Sequence, residues 1–302
     1  MKAEKIIHFN IRKKVIASIT QEGWKNIPHV SYVYEADATK FHEEFRQLKN
    51  ISFNTLLLRV IIEGIKAAPQ MNAEIRYNTF LLSGRITLKE EININMPVLL
   101  PNGEMVTVNL RDIGSKPLAA MEKQIADIME QVRTSDMERS LLRVGLKDSL
   151  RNLGKGKVRK VIGRGLGAVL DSDNSWMKIK SSKRDDNGKS LDRDKYQAIL
   201  SREVLDQGTI TVSNLGAAIK GTQGRIGLLD IVPPQVCAIG IGVLQEKPGV
   251  YPVKDKKSAI GIRKMIPFTI AFDHRALDFG EVAPFINRLE EIFQNPKIMH
   301  TW

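Results

Sequence analysis

Cysteine is nearly absent: Cys237 is the one thiol in 302 residues. That excludes a disulfide framework within the chain and the cysteine clusters of zinc-stapled folds. Cys237 lies inside the apolar run Val236 to Val243, where a thiol acts as a small buried hydrophobe. No stretch approaches the ~18 uninterrupted apolar residues of a membrane span. The first residues, Met1 to His8, have no signal-peptide apolar region. A soluble, cytoplasmic protein is expected. Acidic residues are short as well, 34 against 46 Lys and Arg, which leaves a formal charge of +12. Such a balance favours anionic partners. No aromatic-interleaved basic module accompanies it, so nucleic acid is not the expected partner. Apolar residues make up 42% of the chain, ample for a core.

The pattern along the chain is mixed. Residues 11–23 read as a short helix stopped near Gly23. Val30 to Ala36 alternates as a strand does, and Asp37-Ala38-Thr39 then starts a helix to about Leu48. Thr55 to Ala68 carries Leu56, Leu57, Val60, Ile61, Gly64 and Ile65 at helical spacing, a largely buried helix that Pro69 ends. Residues 73–110 turn to strand character, with Ile92 to Leu100 and Met105 to Asn109 joined by the turn Pro101 to Glu104. Ser115 and Pro117 open a helix to about Arg133. Further on, Gly208 to Asn214, Val236 to Val243 and Ile266 to Phe272 read as strands, and Phe285 to Phe293 as a last helix. Helices among mixed strands predict a layered α/β or α+β fold.

Composition changes near residue 135. Between Arg139 and Gly165 there are nine Lys or Arg and one acid, Asp148, a local charge of +8. Leu142, Leu146, Leu150 and Leu153 recur through it, the pattern of a basic amphipathic helix, which glycines from Gly154 onward interrupt. Residues 171–195 read as an exposed loop. Three readings of 139–167 stand open: a helix on an anionic lipid surface, a dock for an acidic carrier or cofactor phosphates, or a solvated linker.

Chemistry concentrates at Phe272-Asp273-His274-Arg275-Ala276-Leu277-Asp278-Phe279-Gly280. A free imidazole titrates near ~6.5, so its neutral form is available as a base at neutral pH. His274 sits just past an apolar strand, a rigid mount for proton abstraction. Asp278, four residues on, can hold local structure by pairing with Arg275 or another arginine. Ser213 follows the apolar residues of the strand at 208–214 and opens a Ser-Asn-Leu-Gly turn, where a hydroxyl can donate to a developing oxyanion or to nearby backbone. It is not in a G-x-S-x-G elbow. Gly163 to Gly167 lacks the phosphate-loop spacing, and Gly221 to Gly227 reads as a plain loop. His8, His29, His42 and His300 show no metal-ligand spacing and read as surface or packing residues.

Residues 272–278 resemble the active-site motif of the acyltransferase component of 2-oxo acid dehydrogenase complexes, in the chloramphenicol acetyltransferase-like superfamily. Asn26 to Val30 with Glu35 to Asp37, Pro69 with Asn72 and Ala73, Asn93 to Arg111, Thr209 to Gly216 and Pro233 to Gly242 resemble further blocks of the family. Most of 11–134 and 205–302 is covered. The resemblance implies a mixed β-sheet flanked by helices in one catalytic domain, 1–134 with 201–302, interrupted by the basic insertion 135–200. It implies a homotrimer with active sites between subunits, and acyl transfer between coenzyme A and a thiol such as dihydrolipoamide. His274 would take the thiol proton, Ser213 of the neighbouring subunit would stabilise the oxyanion, and Asp278 would keep the local structure, with Arg12 as its partner.

Two departures bear on this. The family motif places glycine directly after the aspartate, whereas Phe279 stands between Asp278 and Gly280, so the last helix or the Asp278 carboxylate is expected to shift. No lipoyl domain, lipoylation motif or peripheral subunit-binding segment is recognisable, so a lipoyl group is expected only in trans, on an acyl or lipoyl carrier protein. Acyl transfer to an alcohol or amine, and a trimeric scaffold without turnover, remain as alternatives.

Overall fold

Alternation of side chains along one long strand organises the molecule. The structure, a computed structural model, describes residues 9, 11–100, 103, 105–135, 140, 200–218, 223–253 and 257–302. The basic segment 139–167 (Ser140 apart), its glycines 163–167 and the loop 171–195 lie outside the described residues. The chain divides into two units, 1–19 with 129–205, and 20–128 with 206–302. In the first, Val132, Leu200 and Val204 are buried, and the Leu200 amide donates to Ser140 Oγ at 3.0 Å.

The helices are α1 (Ile11–Asn26), α2 (Thr39–Phe45), α3 (Phe53–Ala67), α4 (Leu118–Thr134), α5 (Arg202–Leu205), α6 (Leu215–Ala218) and α7 (Phe279–Gln294). The strands are β1 (His29–Asp37), β2 (Ala73–Asn78), β3 (Ser83–Leu88), β4 (Ile94–Leu99), β5 (Met105–Leu110), β6 (Ile210–Asn214), β7 (Cys237–Ile241), β8 (Gln245–Pro252) and β9 (Ser258–Asp273). The main sheet runs β1-β9-β7-β6-β4-β5, with β8 also paired to β9, and β2 and β3 form a separate hairpin. The β6 pairs with β4 and β7 are parallel and the other pairs antiparallel. This is the mixed, helix-flanked sheet expected from the sequence.

In β9, period-two alternation sends Phe268, Ile270 and Phe272 to one face and Thr269 and Ala271 to the other. The first face packs on helices: Phe268 meets Phe293 of α7 and stacks with Tyr34 across the β1 pairing. Phe293 in turn touches Phe41 of α2. The opposite face is lined by the segment 223–231. Thr269 Oγ1 donates to the Ile226 carbonyl, Ser31 Oγ to Gly227 and Gln245 Nε2 to Gly224, so this part of the glycine-containing loop is tied to the sheet.

Most elements fall where patterning placed them, and the exceptions have local causes. Gly23 does not end α1. A β-carbon there would lie 2.8 Å from the Ile231 carbonyl oxygen, so the glycine serves a close backbone approach inside the helix. β8 carries Pro248, Gly249 and Pro252, which disguise it in the sequence. It is an edge strand, pairing with β9 alone among the described residues, where missing amide donors cost no ladder bond. The last helix begins at Phe279 rather than 285, with Pro284 inside it.

α3 presents the broad apolar face the spacing predicts. Leu56, Leu57, Val60, Ile61 and Ile65 are all buried, and Ser52 caps the helix through the Thr55 amide. Gly64 lets α7 approach: an added β-carbon would meet Leu289 and Phe285 side-chain atoms at 2.6 Å. Gly64→Val is therefore expected to destabilise the fold by about 1–3 kcal/mol, the range for overpacking a filled core, read as a lowered thermal midpoint. An unchanged midpoint would refute this packing.

Candidate active site

β9 ends in a buried carboxylate. Asp273 is fully buried, yet the sequence reading gave it no role. Its oxygens accept from Arg275 Nε at 3.0 and 3.2 Å and from Nη2 at 2.6 Å, and the Arg275 amide adds a bond at 3.0 Å. This fork-to-carboxylate geometry satisfies a charge that burial would otherwise make costly. Hydrogen bonding to Asp273, then its negative charge, holds the guanidinium proton more tightly, against the effect of burial. Arg275 also lies over the Tyr77 ring, 5.6 Å from its centroid. Arg275 thus pairs with Asp273, not with Asp278 as the spacing allowed. The only hint in the sequence was a carboxylate closing an apolar strand two residues before an arginine.

The Asp273 carbonyl accepts from the Ala276 and Leu277 amides at 2.9 and 3.0 Å, closing a tight turn. The His274 amide donates to the Pro28 carbonyl at 3.0 Å. His274 stands on this turn with its ring exposed, and Nδ1 lies 3.1 Å from the Leu277 carbonyl oxygen. A carbonyl only accepts, so Nδ1 carries the proton in that bond and the Nε2 lone pair is left free. The tautomer is that of a general base.

Asp278 is the N-cap of α7. Its carboxylate accepts from the Gly280 amide at 2.6 Å, and its own amide donates to Glu281 Oε2 at 2.8 Å, a reciprocal capping box. The Gly280 bond, ahead of contacts to Glu281 and the charge of His274, holds the Asp278 carboxyl below the usual carboxylate range. Phe279 does start the helix one residue before Gly280. Its ring packs edge-on against Phe272 at 5.4 Å and Tyr32 at 6.1 Å. The extra residue is thereby absorbed as an apolar lid on the strand face that carries Phe272. The Arg12 side chain lies outside the described residues.

Ser213 is half-buried in β6, and its hydroxyl has no hydrogen-bond partner among the described residues. The ladder places it opposite Gly240, and Gly240 opposite Thr269 of β9. Thr269 is four residues before Asp273, and β6 is two strands from β9. At about 3.3 Å per residue and about 4.8 Å per strand, Ser213 and His274 are on the order of 20 Å apart within one chain. The fold does not bring them together in a single copy.

The remaining candidates are structural. His29 Nδ1 lies 2.8 Å from the Ile27 carbonyl, its Nε2 accepts from the Ile231 amide at 3.2 Å, and its ring stacks on Trp24. Both nitrogens are occupied, as a packing histidine requires. Cys237 is fully buried, and burial pushes its thiol far above the usual range, which keeps it inert. Among the described residues, no group of three His, Cys, Asp or Glu is placed to hold a metal ion. No described helix is long and apolar enough to cross a membrane.

The sequence matches the model of the 2-oxoacid dehydrogenases acyltransferase (catalytic domain) over residues 1–158 and 186–301. The chain belongs to this acyltransferase family. Among its relatives, the dihydrolipoyllysine-residue acetyltransferase component of the pyruvate dehydrogenase complex of Mycoplasma pneumoniae is 20% identical over 292 residues, 93% of this chain and 53% of that protein. The chain spans about half the length of this curated relative. A probable dihydrolipoamide acetyltransferase of Listeria monocytogenes superposes with a TM-score of 0.63 at 16% identity, covering 98% of this chain and 96% of that one. The dihydrolipoamide acetyltransferase of Azotobacter vinelandii, whose structure was determined in work on a serine, a histidine and an asparagine of its catalytic mechanism, gives 0.57 at 19% identity, covering 98% and 94%. These likenesses show a common fold with the acyltransferase cores.

Two outcomes test the site architecture of this acyltransferase family member. Arg275→Met strands the buried Asp273 carboxylate and is expected to cost on the order of 3 kcal/mol of unfolding free energy in urea titration. A loss near zero would mean the pair does not hold the turn. Asp278→Ala removes the cap and lowers the thermal midpoint at pH 7. The Asp278 pKa is depressed in the fold, so its contribution is present above ~3.9, the unfolded value, and lost as pH falls through the folded value. The gap between variant and wild type therefore narrows below pH ~4; a gap independent of pH would contradict the capping role.

Proposed function

We propose that the chain transfers acyl groups between coenzyme A and a thiol acceptor such as dihydrolipoamide, the lipoyl group arriving in trans on a carrier protein. The carrying observation is His274: an exposed imidazole on a braced turn, with Nδ1–H committed to the Leu277 carbonyl and Nε2 without a hydrogen-bond partner among the described residues. Family membership supports the reaction class. The catalytic domain is taken as 1–134 with 201–302 around the insertion 135–200, and the gap in the family match at 159–185 supports an insertion there.

In the forward direction His274 Nε2 removes the proton of the acceptor thiol. The thiolate attacks the thioester carbonyl of acyl-coenzyme A, forming the new C–S bond and a tetrahedral oxyanion. The Ser213 hydroxyl of a neighbouring subunit donates to that oxygen. Collapse breaks the C–S bond to coenzyme A, whose thiolate takes the proton back from the imidazolium. Proximity does the rest, since two thiols and one carbonyl need only be held in line. Asp278 positions rather than reacts: it caps α7 immediately after the turn that carries the base. The separation of Ser213 and His274 within one chain supports a homotrimer in which each site draws on two copies.

The test is acyl exchange from acetyl-coenzyme A to dihydrolipoamide by the purified protein. His274→Ala is expected to lower turnover by ~10²–10⁴, and Ser213→Ala by ~10²–10³. When the two inactive variants are unfolded, mixed in equal amounts and refolded together, about a quarter of wild-type activity should return, because one interface in four pairs an intact serine with an intact histidine. No recovery would refute the shared site. Unchanged turnover in His274→Ala would remove the base assignment, and a preference for alcohols or amines over every thiol would replace the acceptor.

A further inference from the structure

The β2–β3 hairpin carries a feature that the acyl-transfer reading does not use. At its tip, Phe80, Leu81 and Leu82 are 91%, 65% and 78% exposed, three consecutive apolar side chains in water. Asn78 Oδ1 accepts from the Phe80 and Leu81 amides at 3.0 and 3.1 Å, so the turn is held by the asparagine and the apolar side chains have no part in closing it. Leu82 has φ +46°, a left-handed conformation that glycine or asparagine adopts far more readily. Leucine at this position strains the turn and presents an apolar group to solvent. Behind the tip, Arg76 and Arg85 face each other directly across the two strands, both exposed and with no acidic partner among the described residues. Like charges in that register repel unless an anion lies between them. Ile86 and Leu88, 46% and 54% exposed, continue the apolar surface down the other face of the hairpin.

We propose that this hairpin tip inserts into the surface of an anionic lipid bilayer. Phe80, Leu81 and Leu82 enter the headgroup–acyl boundary, and Arg76 and Arg85 meet anionic headgroups. The spacing suits this. The arginine row lies two strand residues plus the turn behind the tip, roughly 7–10 Å, which matches the depth to which interfacial segments sink. The sign of charge is complementary to such a surface, in a chain of net charge +12. Contact between copies is the less favoured occupant, because it would bring further guanidinium groups toward an already repelling pair.

The whole protein is tested by co-sedimentation with vesicles of phosphatidylcholine alone and of phosphatidylcholine with roughly 30% phosphatidylglycerol. Binding to the anionic vesicles only is expected, weakening as salt rises. Phe80→Ser with Leu81→Ser and Leu82→Gly, and separately Arg76→Gln with Arg85→Gln, should each reduce it about tenfold or more while acyl exchange is unchanged. Because Cys237 is buried, acrylodan on Phe80→Cys labels the tip alone, and its emission should shift to the blue when anionic vesicles are added. That readout stands even where the triple variant fails to fold. Undiminished vesicle binding by the folded triple variant would assign binding to another basic surface and overturn the proposal. So would an acrylodan signal already blue-shifted without vesicles, together with a lower sedimentation coefficient for the triple variant, since the tip would then be a contact between copies.

Discussion

The arrangement of the base depends on one buried ion pair. Asp273 ends β9 with its carboxylate out of reach of water, and Arg275 returns to satisfy both oxygens. With that carboxylate neutralised, the Asp273 carbonyl is free to close the turn on the Ala276 and Leu277 amides. The Leu277 carbonyl then stands where His274 Nδ1 needs a partner. Each step constrains the next, so the tautomer of the imidazole follows from how a strand disposes of its last charge. An ion pair of this kind adds little to stability over an apolar substitute. Its value is in fixing one conformation for the four residues that follow.

Two mountings of different character meet at this turn. On one side, Phe272, Phe268 and Ile270 are wholly buried against β1, α2 and α7, a packed layer that does not yield to small strains. On the other, Asp278 and Glu281 cap α7 in the open, where the bonds are local and solvent competes. The base sits between them, exposed enough to meet a substrate and braced by a rigid layer. Phe279, the residue that departs from the family pattern, joins the two mountings by laying its ring on Phe272 and Tyr32.

Much of this was legible in advance. The apolar stripe of α3, the alternation in β1 and the apolar runs of β7 and β9 are written in the spacing of Val, Ile, Leu and Phe, because burial depends on which face a side chain occupies. β8 was hidden because edge strands tolerate Pro248 and Pro252, the residues that normally argue against a strand. Of the site, His274 and Ser213 stood out as chemical groups at strand ends. The sequence offers Asp278 as a partner for Arg275 or another arginine, but Asp273, two residues before Arg275, and Asp278, three after it, are both within reach of that side chain, and only the fold decides which carboxylate is buried. Asp278 proved to be a cap, a role its position before a helix implies once that helix is known to start at Phe279.

Taken alone, the order of residues determined the α/β class, the buried faces and the family to which the motif around His274 belongs, because these depend on composition and periodicity within short stretches. Tertiary structure decided the rest: that Asp273 is the buried member of its ion pair, that the free nitrogen of His274 is Nε2, and that Ser213 lies far from it in the same copy. Those outcomes depend on strand register across residues distant in sequence. A register is set by the collective packing of the whole sheet, which no local pattern records.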